Sequence, residues 1–145
     1  MTLAREEVPD QNGMFRQMLR AKIHRATVTG ADLNYMGSLT LDAELLATAG
    51  ILPYERVLVV DIDNGNRFET YAIAGPAGSG AVVVNGAAAR LVQKGDKVII
   101  MSFAYLDERE VARWEPRVVF VDENNRVTQV ATGKAEMEIG ASEGY

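Results

Sequence analysis

The sequence predicts a mainly β protein, a closed β-barrel with only short helices. Many short strand-like runs follow one another, and the helical stretches between them are brief. Asn64-Gly65 separates "RVLVVDID" from "RFETYAIA" and is the strongest short hairpin signal a sequence offers. A second hairpin is predicted in "RVVFVDENNRVTQVAT", around Asn124-Asn125.

Taken in order, residues 1–13 are polar, carry Pro9 and end in Gly13, which predicts a disordered tail. Met14 is a candidate alternative start. "KIHRATVT" (22–29) reads as a strand, and alternation puts Lys22, His24, Ala26 and Val28 on one face. "DAELLATAG" (42–50) reads as a helix with Asp42 as N-cap and Gly50 just past its end. "AVVVNG" (81–86) is a buried strand ending in a glycine turn, followed by the small-residue run "AAARL". "KGDKVIIMSFAYL" gives a turn and a strand, and "DEREVARW" a short amphipathic helix. One domain over 14–130 is expected, with 131–145, rich in Gly, Glu and Ala, as a loose tail.

Composition excludes several function classes. Of 145 residues, 48% are apolar and 24% charged, and the net charge of -5 gives no basic footprint for nucleic acid. No apolar run is long enough to span a bilayer, and "MTLAREEVPDQNG" has no apolar core of a secretory leader, so a cytoplasmic location is expected. There is no cysteine and only one histidine, which removes disulfides, thiolate sites, Cys nucleophiles and multi-His zinc centres. No phosphate-loop or dinucleotide fingerprint is present.

The candidate chemistry is scattered. Lys22 and His24 share a strand face about 7 Å apart, which on sequence alone reads more readily as a half-exposed, solvated face. Arg67 and Tyr71 share a face with Glu69 between them, and Thr70 points the other way. Asn85-Gly86-Ala87-Ala88 is either a plain turn or a place where backbone amides approach a ligand. Three serines, Ser38, Ser79 and Ser142, sit beside glycine or in glycine-rich surroundings. Only Ser38, in "NYMGSL", has structured flanks and Tyr35 nearby. A strained bond needs rigid surroundings, so Gly37-Ser38 is the pair to single out.

Together "MFRQMLRAKIHRATVTGADLNYMGSLTLD", "NGNRFETYAIAG" and "VNGAAA" resemble the aspartate 1-decarboxylase family, from about Met14 to about Asp122. Asn34 and Arg90 depart from it, each standing where the family often has His. The resemblance implies a double-psi β-barrel assembled as a homotetramer with sites between subunits. It also implies a zymogen that cuts itself between Gly37 and Ser38, leaving a covalent pyruvoyl group derived from Ser38. That group is an electron sink that forms a Schiff base with the substrate amine, so neither metal nor pyridoxal phosphate is expected.

By the same resemblance Ser38, Tyr71 and Lys22 are catalytic: Tyr71 protonates the substrate carbon and Lys22 adds positive charge. Arg67 binds a carboxylate, with Thr70, Gly86, Ala87 and Ala88 completing the pocket. Gly37, His24, Tyr35 and Asn85 support it. The implied reaction is L-aspartate to β-alanine and carbon dioxide, supplying pantothenate synthesis. Two alternatives stand beside it, an uncleaved barrel acting as a binding or assembly module, and a decarboxylase of another acidic amino acid. One methylene is worth only about 1–3 kcal/mol of discrimination.

Overall fold

The computed structural model describes residues 13–133. Its chain begins with β1 (Phe15–Thr27), β2 (Gly30–Asp32), β3 (Ser38–Asp42) and α1 (Ala43–Ala49). A hairpin of β4 (Arg56–Asp61) and β5 (Arg67–Gly75) follows, then β6 (Val82–Asn85) and a 3-10 helix, Gly86–Leu91. β7 (Lys97–Asp107), α2 (Glu108–Val111), β8 (Arg117–Val121) and β9 (Val127–Thr132) complete it. The protein is mainly β, as predicted.

The strands hydrogen-bond in the order β2-β6-β3-β5-β4-β7-β1-β8-β9. Pairs β1/β8, β2/β6 and β3/β5 are parallel, so the sheet is not a simple meander. Residues of β1, β3, β4, β5, β6, β7 and β8 all enter one buried core with α1. A sheet that gives one face to a shared core across so many strands must curl. Beyond β1, Thr29 N donates to Val82 O at 2.8 Å, joining the chain to the head of β6, five places away in the order. The sheet therefore curls back on itself, consistent with a barrel.

Both hairpins form where the sequence places them, and left-handed residues turn them: Gly65 at φ 77° and Asn125 at φ 61°. Asn125 is also buried, donating to Thr27 O and Gly80 O and accepting from Thr27 N. A turn residue thus ties β1 to the loop before β6. α1 is capped as expected: Asp42 accepts from Glu44 N at 2.8 Å, and Gly50 closes the helix at φ 73°.

The structure adds one strand and changes two expectations. "SLTLD", to which no element was assigned, is a strand, β3; Leu39 and Leu41 fill the core and Ser38 begins the strand. β9 runs to Thr132, past the expected boundary at 130, and the tails otherwise lie outside the described residues. The shared face of Lys22, His24, Ala26 and Val28 breaks. β1 carries a bulge between Ile23↔Ile100 and Ala26↔Val98, with Arg25 at φ 64°. That extra residue resets the alternation, so Ala26 and Val28 join Ala21 and Ile23 in the core. Lys22 is left on the outer face, and His24 packs edge-on against Phe120, ring centroids 5.5 Å apart.

Candidate active site

The site is built where β3 begins. Ser38 opposes Asn85 in the antiparallel β3/β6 pair, and both are buried, at 2% and 4% exposure. Asn85 Nδ2 donates to Ser38 Oγ at 3.0 Å and to Thr40 Oγ1 at 2.9 Å. Ser38 Oγ donates in turn to Met36 O at 3.0 Å. The hydroxyl is thus held from two sides beside the Gly37-Ser38 bond.

Gly86 completes this clamp. It sits at φ 77°, and a Cβ there would lie 2.6 Å from Gly37 Cα, 2.9 Å from Gly37 N and 3.4 Å from Tyr35 O. Only a glycine lets the backbone after β6 press against the bond before Ser38. Gly37 itself lies outside the left-handed region, and a Cβ on it would meet nothing within 4 Å. It is at Gly86 that this packing requires a glycine.

Tyr71 stands next to Ser38. Leu39 pairs with Ala72 in the parallel β3/β5 ladder, so Ser38 and Tyr71, each one residue earlier, lie level on neighbouring strands. That spacing is about 4.8 Å between backbones. Tyr71 is half-buried, and Tyr54, at φ 71°, packs on it with ring centroids 6.3 Å apart. The sequence reading missed Tyr54, Thr40 and Met36; the alternation in "SLTLD" was the available signal for β3 and hence for Thr40. Thr70 faces opposite Tyr71, half-buried, as alternation predicts. Ala88 packs against the core, while Ala87 and Tyr35 are exposed.

Arg67, Lys22 and His24 are placed apart from this group. Arg67 begins β5, four residues or about 13 Å of strand from Tyr71. Lys22 lies across from Met101, which lies across from Leu58, which lies across from Glu69. It is three strands from β5, about 14 Å along the sheet. His24 lies on the same distant strand. One chain thus gathers Gly37, Ser38, Asn85, Gly86 and Tyr71, and leaves the expected cations elsewhere.

Comparison with known proteins agrees with these landmarks. The family model for aspartate decarboxylase matches residues 14–128. The chain is 57% identical over 121 residues to the aspartate 1-decarboxylase of Moorella thermoacetica, covering 83% of this chain and 94% of that protein. It is 62% identical over 117 residues to that of Neisseria meningitidis, covering 81% and 92%. With the Carboxydothermus hydrogenoformans protein the identity is 59% over 117 residues, covering 81% and 92%. The mainly β fold and these relatives together define a carboxy-lyase. The chain belongs to the aspartate decarboxylase family and is an enzyme of that class.

Proposed function

We propose that this chain converts L-aspartate to β-alanine and carbon dioxide, feeding pantothenate synthesis in the cytoplasm, after cutting itself between Gly37 and Ser38. The observation that carries this reading is the clamp: Asn85 Nδ2 at 3.0 Å from Ser38 Oγ, with Gly86 pressed on Gly37. In the cut, Ser38 Oγ attacks the carbonyl carbon of Gly37, and the acyl group passes from nitrogen to oxygen. Loss of the Ser38 Cα proton then expels Gly37 as a carboxylate. Hydrolysis of the resulting dehydroalanine releases ammonia and leaves a pyruvoyl group at residue 38.

The residues present fit that group, since the hydroxyl that would become it is buried and fixed, and a phenol stands one strand away. When formed, the pyruvoyl supplies the electron sink that decarboxylation of an amino acid requires. Tyr71 would hold the proton delivered to the substrate carbon, within reach of residue 38. Arg67 would bind a carboxylate through its planar fork, and Lys22 would add positive charge against the net charge of -5. Thr70, Gly86, Ala87 and Ala88 would wall the pocket, with His24 and Tyr35 in support.

Lys22 sits three strands from β5, and that separation supports a site completed by a neighbouring copy in a homotetramer of double-psi barrels. The outer face supports it too: Leu58, Val60, Ile99 and Met101 are only half-covered, and Phe103 and Tyr105 are 38% and 74% exposed. Among the described residues no helix is long and apolar enough to cross a membrane.

The test is intact-mass spectrometry of purified protein over a day of warm incubation. Two fragments parting after Gly37, the longer one starting in pyruvoyl, are expected, with β-alanine appearing when aspartate is added. A chain that stays whole while still decarboxylating aspartate would overturn the cofactor assignment. Cleavage with no turnover of aspartate would overturn the substrate.

A further inference from the structure

The tip of the β4–β5 hairpin and the turn before β7 bring three carboxylates together outside the site just described. Asp61 closes β4, Asp63 lies in the turn after it, and Asp96 lies in the turn before β7. One carboxylate oxygen from each falls within 4.8 Å of the others. Backbone amides hold all three in place. Asp63 N donates to Asp61 Oδ1 at 2.8 Å, Lys97 N to Asp63 Oδ2 at 2.7 Å, and Gln93 N to Asp96 Oδ2 at 2.9 Å. One oxygen of each carboxylate is left over.

No ion pair among the described residues neutralises these groups. Lys97, the nearest cation in sequence, turns its Nζ to Thr27 Oγ1. Asp61 is the telling member, because it is fully buried at 0% exposure and its Oδ2 has no hydrogen-bond donor. A buried carboxylate oxygen with no donor, aimed at other carboxylates on a preformed frame, is what a hard cation relieves.

We propose that Asp61, Asp63 and Asp96 form a binding site for a divalent cation, with calcium the best match. Calcium bonds oxygen at about 2.3–2.6 Å, so ligands on opposite sides of it stand roughly 4.6–5.2 Å apart. The three oxygens lie within 4.8 Å of one another, close enough to share one ion. Magnesium, at about 2.0–2.1 Å, demands near-octahedral geometry and keeps several waters, whereas calcium accepts an irregular oxygen set. The donors are all oxygen, which suits neither zinc nor copper. The sequence argument against zinc rested on cysteine and histidine, and that against a catalytic metal on the implied electron sink, so neither reached this oxygen site.

The consequence is local ordering. β5 starts at Arg67, directly after the hairpin turn, and carries Thr70 and Tyr71. A cation bridging this turn to the one before β7 would fix the root of that strand.

The test uses the full chain stripped with chelator, then titrated with calcium chloride by calorimetry, with magnesium chloride in parallel. Saturable heat at one calcium per chain and a higher melting midpoint are expected. Asp61→Asn should weaken calcium binding at least about tenfold, yet melt above the parent in chelator because the buried charge is gone. Asp96→Asn repeats the affinity test if Asp61→Asn does not fold. Absence of calcium heat at millimolar concentration, or full affinity in both variants, would overturn the site. Magnesium binding as tight as calcium would overturn the choice of cation.

Discussion

Asn85 reaches across the β3/β6 ladder to donate to Ser38 Oγ at 3.0 Å and keeps its second hydrogen for Thr40 Oγ1 at 2.9 Å. Both contacts use the amide as a donor. Asn85→Asp would reverse both contacts, with the hydroxyls donating to a buried carboxylate and the Ser38 hydrogen drawn away from Met36 O. The contact fixes the serine rotamer, and a net hydrogen bond is worth about 1 kcal/mol. Asn85→Ala should therefore slow self-cleavage by roughly five- to tenfold, followed as the fraction of whole chain by mass spectrometry. Ser38→Ala should stay whole indefinitely.

Gly86 and Gly37 should respond oppositely to the same substitution. At Gly86 a methyl group would sit 2.6 Å from Gly37 Cα at a φ of 77°. Gly86→Ala should cost about 2–3 kcal/mol and displace the Gly37-Ser38 bond, seen as a lower melting midpoint and impaired cleavage. Gly37→Ala has open space, so its stability should stay within about 0.5 kcal/mol of the parent, read as a nearly unchanged melting midpoint. Equal damage at the two positions would refute the packing argument.

Stability should fall with acid through Glu55. Burial pushes this carboxyl up, but Arg20, Ser102 Oγ and Leu52 N all donate to it, and the net effect holds it below 4.5. A depressed folded-state value means the stabilisation is fully present above pH 4.5 and is lost as pH falls through the folded value. Arg20 also donates to Gly50 O at 2.7 Å, so this network ties β1 to the end of α1 and to β7. Glu55→Ala should cost about 2 kcal/mol at neutral pH. The gap between parent and variant midpoints should shrink on titration toward pH 3. Asp42, where burial is outweighed by donors from Gly80, Glu44 and Gly78 and by Arg126, carries the same sign below 3.8.

Turnover and processing should separate at Tyr71. Tyr71→Phe removes a proton donor but leaves the Ser38 clamp untouched. Cleavage should proceed normally while kcat falls by roughly a hundredfold or more. Arg67→Lys keeps the charge and loses the fork, so KM for aspartate should rise with little change in kcat.

What could be read from the chain alone follows from range. The hairpins, the α1 caps and the buried strand at 81–86 are local, and Asn64-Gly65, Asp42 and Gly50 announce them within a few residues. The bulge at Arg25 was not legible, because nothing in "KIHRAT" marks a left-handed arginine; the pairing with β7 imposes it. The face assignment for Ala26 and Val28 failed for that reason. At the site, Gly37-Ser38 stood out, but the need for glycine fell on Gly86, forty-nine residues further along, because only tertiary packing brings the two backbones together. The carboxylates at 61, 63 and 96 escaped notice for the same reason: their neighbourhood is made by two turns, not by a motif.

The position of the proposed cut has a consequence for the life of the folded protein. β1, on the segment before Ser38, lies between β7 and β8 in the middle of the sheet, and β2 pairs with β6. Severing the chain at 37–38 would therefore free neither piece; it would turn one polypeptide into an interleaved heterodimer. The linkage that guided β1 home during folding would then be gone. Each molecule could fold unimolecularly only once, before it cuts itself, and a cut molecule that unravelled would have to find its other half by diffusion. Maturation would exchange refoldability for a reactive group.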